Sequence, residues 1–419
     1  MSHTLVEKII LAHCEADDVR PGDVVTVRCD VVMANDVSGP VAFRALEKMR
    51  VDRVFDPGRV VMVADHFMPA KDAKSAELQA RLQRWSEEHG VTYYGQGRGG
   101  IEHALLCEKG WIVPGAVIAG GDSHTCTYGA LGAFGTGLGS TDIASCLALG
   151  SFWQAVPETI QIELTGPLGS FVTGKDVILS VIGEIGVGGG TNAVLEFVGA
   201  GAAALSVDER LAVANMAVEA GSEAGIFPAD DVVTAYLEGR ARTSWTADRS
   251  DPDAEFRQRL HIDLSALEPL VALPHLPGNV VRVSDAGTVA VDQVYIGNCA
   301  NGMMTDLRQA ASILGGRRVH PRTRAIIVPA TQAIWRQAAD EGLLDLFVEA
   351  GAIVSTPTCG ACFGGSNGAL AAGENAVSTT NRNFRGRMGS PEAGVYLANA
   401  WVAAAAAVAG ELVHPGVIT

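Results

Sequence analysis

The sequence predicts a layered α/β protein built from two or three compact units. At 419 residues the chain exceeds what one ordinary hydrophobic core holds. Short β-branched runs (Val24–Cys29, Val60–Ala64, Val117–Ala119, Val294–Ile296 and Ala325–Pro329) alternate with Ala/Leu-rich stretches of helical character. Glycine-rich turns follow the runs, at the strand ends where α/β folds collect their ligands. We expect unit boundaries near 160 and 285, giving units 1–160, 161–285 and 286–419. The charged, proline-containing stretch 248–260 (DRSDPDAEFRQRL) reads as the exposed connector.

Composition narrows the function classes. With 48% hydrophobic and 19% charged residues the chain is globular rather than disordered. Its 31 Lys and Arg against 47 Asp and Glu give a net charge of −16, which argues against nucleic acid or an anionic membrane as partner. A small anionic ligand would therefore need locally concentrated arginine, lysine, metal or backbone N–H groups. The N-terminus places Leu5, Ile9 and Leu11 around Glu7 and Lys8, a helical pattern and not an export signal, so a cytoplasmic location is expected. Residues 393–410 carry no charge, but alanine dominates them, which fits a buried helix better than a membrane span. Eight cysteines, too sparse for a disulfide scaffold, read as thiols or ligands.

Gly95-x-Gly97-x-x-Gly100 matches a dinucleotide-binding fingerprint, with Asp122 some twenty residues on, yet that acid falls in a second polar loop. The histidines carry more. Asp65-His66 follows an apolar run, His103 opens a helical stretch after the glycine loop, and Asp122-Ser123-His124 follows AVIAG. A lone histidine is more often a surface or core residue. Carboxylates recurring beside imidazoles at strand ends point instead to an active site, because they fix the tautomer and raise the pKa as a general acid requires. No H-x-x-x-H or H-E-x-x-H spacing supports zinc at the histidines. Cys359 and Cys362 form C-x-x-C, a pattern shared by zinc sites, redox dithiols and iron–sulfur clusters, and Cys299 lies in a loop sixty residues earlier. Three thiolates suit a 4Fe-4S cluster with one iron left open.

The ordered motifs MAND (33–36), DHFMPAKD (65–72), GGIEH (99–103), GGDSHTCTYGALGAFGTGLGSTD (120–142), TNAVLEF (191–197), GNCANG (297–302), TCGACFGG (358–365) and TTNRNFRGRMGSP (379–391) run almost end to end. Together they resemble the aconitase superfamily, most closely its 3-isopropylmalate dehydratase and homoaconitase-type branch. The resemblance implies three α/β/α units with a cluster at their interface and no swivelling domain. It implies Cys299, Cys359 and Cys362 as ligands of one 4Fe-4S cluster with one non-cysteine-ligated iron, and His66 oriented by Asp65 as acid. It implies His103 paired with Asp122, His124 paired with Glu196, and Asn35, Ser123, Arg382 and Arg387 contacting substrate. Asn192 and Asn381 would line the cluster. The activity implied is a hydro-lyase on a hydroxy di- or tricarboxylic acid: 3-isopropylmalate and 2-isopropylmalate in leucine biosynthesis, or else homoaconitate or a dimethylmalate. A separate small subunit would carry the swivelling domain. A cluster-free RNA reader or zinc-stapled structural protein is the reading from another class, and the net acidity opposes it. Departures from the branch pattern are Asn298, Ala300 and Met303 in the cluster loop (GNCANGM for GSCTNGR) and Asn399-Ala-Trp401 in place of SPA.

Overall fold

The computed structural model describes residues 2–418. Its core is three largely parallel sheets reached in chain order. The first has five parallel strands in the order Thr92–Tyr94, Val60–Val63, Val31–Asn35, Val117–Gly120, Phe134–Gly137. Its central strands are apolar on both faces, as burial between two helix layers requires. The second has four parallel strands in the order Ala224–Ile226, Ala193–Val198, Glu158–Thr165, Gln258–Asp263. The third has seven strands, all running one way except Leu270–Ala272, which pairs antiparallel with Val280–Arg282 at the edge and with Gly394–Leu397.

All five strands expected from β-branched runs are present. Val24–Arg28 differs in role, pairing antiparallel with Ser151–Ala155 in a separate ribbon. The stretch 248–260 is mostly exposed, but its last three residues enter the second sheet at Gln258–Asp263. The N-terminal helix is Leu5–Ala12, closed by a capping box between Thr4 and Glu7. The uncharged run 393–410 splits into the strand Gly394–Leu397 and the buried helix Ala400–Ala409. Among the described residues no helix is long and apolar enough to cross a membrane.

Strand C-termini of the first and third sheets face a common region. Val60–Val63 leads to Asp65-His66, Val117–Gly120 to Asp122, Gln293–Gly297 to Cys299, and Asn375–Ser378 to Asn381. The segment Ser123–Leu131, which carries His124, lies directly on the second sheet: a Cβ at Gly129 would stand 1.9 Å from the Gly225 carbonyl oxygen. Backbone cannot yield there as a flexible side chain can. Gly129→Ala is therefore expected to lower unfolding free energy by about 2–3 kcal/mol, read from the denaturant midpoint. A change within experimental error would mean that the two elements are not in tight contact.

Candidate active site

Three aspartates and three histidines share one buried region. The Asp65-His66 turn is organised from beneath by Asp36, whose carboxylate accepts the N–H groups of Asp65 (3.3 Å), His66 (3.0 Å) and Phe67 (3.0 Å). Asp65 Oδ1 accepts from His66 Nδ1 at 2.7 Å, while Oδ2 accepts the Glu102 N–H at 2.8 Å. This leaves His66 Nε2 as the free end of the ring, 3.7 Å from Asp122 Oδ2. Burial alone would lower the His66 pKa, but the charge of Asp65 and its bond to Nδ1 hold it well above the usual imidazole range.

Asp122 is the hub. Its Oδ1 accepts from His103 Nε2 at 2.9 Å, His124 Nδ1 at 3.3 Å and the His124 N–H at 2.8 Å. Burial works to raise its pKa, yet the bonds from His103 and His124 keep the carboxyl well below the usual range. The far nitrogen of His124 meets Glu219, with Nε2 to Oε1 at 3.0 Å, and Arg382 Nε donates to the same oxygen at 2.6 Å. Glu196, expected as the partner of His124, is elsewhere: its Oε2 accepts from Ser250 Oγ at 2.6 Å. It sits inside the strand Ala193–Val198, whereas Glu219 follows the helix that packs on Ser123–Leu131 and so reaches His124.

Asn35, expected to meet substrate, spends its amide internally. Its oxygen accepts from the Val37 and Ser38 N–H groups, each at 2.9 Å, and its nitrogen donates to Glu102 Oε1 at 3.0 Å. Glu102 is fully buried, and desolvation with the nearby charges of Asp65 and Asp122 raises its pKa well above normal. Ser123 is half-buried against Gly137. Asn192, expected to line the cluster, is exposed.

Cys299, Cys359 and Cys362 are all buried and unpaired. Amide nitrogens point at their sulfurs: Asn215 Nδ2 at 3.3 Å and Asn381 Nδ2 at 3.4 Å from Cys299, and Asn298 Nδ2 at 4.0 Å from Cys359. The Asn381 oxygen lies 3.2 Å from Cys362 Sγ. A bond from the Cys359 thiol, with Arg387 and His124 nearby, brings Cys362 down to about 5. The buried Arg387 Nε has no partner.

These residues fit an anionic multi-iron group better than a single zinc ion. Among the described residues, the groups of ligand atoms closing to within 4.8 Å are His103–Asp122–His124 and Asp36–Asp65–His66; the three thiols do not form such a group. One zinc ion with Zn–S bonds of about 2.3 Å would hold its sulfurs roughly 3.8 Å apart. Amide donors on the sulfurs and the Arg387 guanidinium beside Cys362 suit a cluster's negative charge.

Sequence reading missed Asp36, Glu102, Asn215 and Glu219. Asp36 and Glu102 lie inside the motifs MAND and GGIEH, so adjacency was available as a signal. Asn215 and Glu219 come from a small-residue stretch, ANMAVEAG, with no spacing signature.

His124 supplies a direct check on the electrostatics. Burial lowers its pKa, and the bonds to Asp122 and Glu219 outweigh that and raise it. Asp122→Asn should move its titration downward, so that the ring loses its proton at lower pH than in the parent. Histidine-selective NMR would read this, and an unmoved midpoint would refute the hub assignment.

A family model described as "Aconitase family (aconitate hydratase)" matches residues 7–289 and 284–410. The 3-isopropylmalate dehydratase large subunit 2 of Rubrobacter xylanophilus is 71% identical over 418 residues, covering 100% of this chain and 99% of that protein. The corresponding large subunit of Heliobacterium modesticaldum is 53% identical over 416 residues, 99% of each chain. Among solved structures, Thermococcus kodakaraensis aconitase X in its holo-form aligns with a TM-score of 0.53 and 11% identity, over 94% of this chain and 97% of that one, a likeness of fold alone. By model coverage and by identity over its whole length, the chain belongs to the aconitase family.

Proposed function

We propose that this chain is the large, catalytic subunit of a hydro-lyase that interconverts 3-isopropylmalate and 2-isopropylmalate in leucine biosynthesis. The observation that carries the reading is the meeting of three acid-paired imidazoles with three buried thiols. The names of the full-length relatives supply the substrate and the term "large subunit". We read three domains bordering this site, with the second boundary near 268 in place of the expected 285, since Leu270–Ala272 and Val280–Arg282 pair into the third sheet.

In this reading Cys299, Cys359 and Cys362 hold one 4Fe-4S cluster with a non-cysteine-ligated iron, which when bound supplies a Lewis acid for the hydroxyl and a carboxylate. The rest of the chemistry belongs to the side chains. Dehydration needs a proton for a departing hydroxide. His66 is placed to give it from Nε2, since Nδ1 is committed to Asp65. The raised pKa keeps that proton on the ring at neutral pH. Asp122 holds His103 and His124 in fixed tautomers beside it. Arg387 offers the substrate or the cluster an uncommitted N–H, and Arg382, tied through Nε to Glu219, presents its two terminal nitrogens. The base that removes the C–H proton is assigned to a separate small subunit with the swivelling domain. A cytoplasmic setting accords with eight free cysteines.

His66→Ala should lower kcat by about 10²- to 10⁴-fold in the reconstituted two-subunit enzyme while leaving iron content unchanged. Equal loss of iron and turnover would make His66 structural. Alkene absorbance assays should find the purified chain inactive alone and active with the small subunit on 3-isopropylmalate. Full activity without a partner would refute the split-subunit reading. Cys299→Ser should abolish the visible absorption of the anaerobically purified protein, and its persistence would remove Cys299 from the ligand set.

A further inference from the structure

One fully buried charge has no part in the chemistry above. Lys175 stands in the first turn of the helix Gly174–Ile185, has no exposed surface, and donates from Nζ to the carbonyl oxygens of Thr379 (2.9 Å) and Thr380 (2.7 Å). Those carbonyls immediately precede Asn381, the amide lying between Cys299 and Cys362, and Arg382, which holds Glu219 against His124. The Thr379 hydroxyl is itself bound to the Gly297 N–H and C=O, two residues ahead of Cys299. The ammonium thus lies under the junction of both thiol-bearing loops.

A buried ammonium is costly unless negative charge balances it. Negative charge on Asp306, Cys299, Cys362 or Asp176 would favour its charged form. The carboxylates do not take it up as an ion pair. Asp176 spends its oxygens on Thr173, Leu270 and Asn399. Asp306 binds Asn301 and the Met303 N–H, and burial pushes it up to about 8, toward the neutral acid. The remaining balance would come from the sulfurs of Cys299 and Cys362, which must be thiolates when they hold a cluster. Lys175 itself is lowered by burial only to about 8, so it is largely protonated at neutral pH.

We propose that Lys175 is a positioning and counter-charge residue for the thiol site: its ammonium fixes the Thr379–Asn381 backbone and offsets the negative charge of the thiolates and their cluster, setting the cluster's reduction potential. This rests on the cluster assigned to Cys299, Cys359 and Cys362. A positive charge in a water-poor interior favours the more negative, reduced state.

The test uses the full chain with its small subunit, reconstituted anaerobically with iron and sulfide, in four forms: parent, Lys175→Met, Lys175→Gln and Lys175→Arg. Iron content, thermal unfolding and an EPR-monitored redox titration are read on each. The neutral variants should lower the reduced-to-oxidised ratio at fixed potential at least tenfold, a shift of about 59 mV for a one-electron couple, or fail to retain iron while folded. The Arg variant should stay close to the parent. Gln, which keeps a donor for the carbonyls without charge, separates the electrostatic effect from backbone fixation. A neutral variant with full iron and an unmoved midpoint overturns the proposal. So does equal loss of fold in all three variants, Arg included, since Lys175 would then be a packing residue. Failure of the parent itself to take up iron would overturn the cluster assignment instead, and this inference would fall with it.

Discussion

The peptide carbonyl of Asp65 joins the two chemical halves of the site. It accepts the Cys359 N–H at 2.9 Å and the Thr358 hydroxyl at 3.0 Å, so the acid–histidine turn of the first sheet and the C-x-x-C loop of the third share one backbone atom. A second junction runs alongside it, from the Ile101 N–H to the Ala330 carbonyl at 2.8 Å and from the Gln332 N–H to the Gly99 carbonyl at 3.1 Å. Main-chain bonds have none of the rotamer freedom of side-chain contacts, so His66, His103 and the thiol loop are held as one body. An imidazole that must meet a bound substrate to within fractions of an ångström needs such a frame.

That frame encloses an unusual amount of charge. Asp36, Asp65 and Glu102 are buried beside His66, His103 and His124, with Asp122 among them. Asp36 and Asp65 accept backbone N–H groups, Asp65 and Asp122 accept imidazoles, and Glu102, bonded to the Asn35 amide, leans to the neutral acid. Division of labour among carboxyls of one kind is set by their neighbours. The overall acidity of the chain is therefore no obstacle to an anionic substrate, because the local balance is made by imidazoles and by Arg382 and Arg387.

What could be read from the sequence was what is local in it. Asp65-His66, Asp122-Ser-His124 and Cys359-x-x-Cys362 bring their partners within a few residues, and the strands announced themselves as β-branched runs. The second sheet's contribution was misplaced for a physical reason. Motif order put Glu196 and Asn192 at the site, but Glu196 is fixed within a strand against Ser250, and Asn192 sits exposed at the start of that strand. The residues that arrive are Asn215 and Glu219, delivered by the packing of the helix Val207–Asn215 on Ser123–Leu131. Nothing local in ANMAVEAG marks such a contact, because it is made by tertiary packing between distant segments.

Among the departures in the cluster loop Asn298 follows from backbone geometry, and nothing in the structure explains Ala300. Gly297 has φ +138, and a Cβ there would stand 2.0 Å from the Val328 carbonyl, so the turn is forced by the neighbouring strand. The next residue, Asn298, has φ +80, in the left-handed region that asparagine tolerates better than serine. Its side chain uses both ends: the oxygen accepts the Cys299 N–H at 2.6 Å and the nitrogen donates to the Cys359 carbonyl at 3.0 Å. A serine hydroxyl, one atom shorter and with a single proton, cannot span both loops in this way. Met303 is buried at the start of the helix Met304–Leu314, its N–H bound to Asp306, and Asn399 caps the helix Ala400–Ala409 while donating to Asp176. At each of these three positions the side chain or backbone secures a turn or a helix end. Asn298 therefore ties the two thiol-bearing loops together through its own side chain, while Asn399 joins a helix end to Asp176.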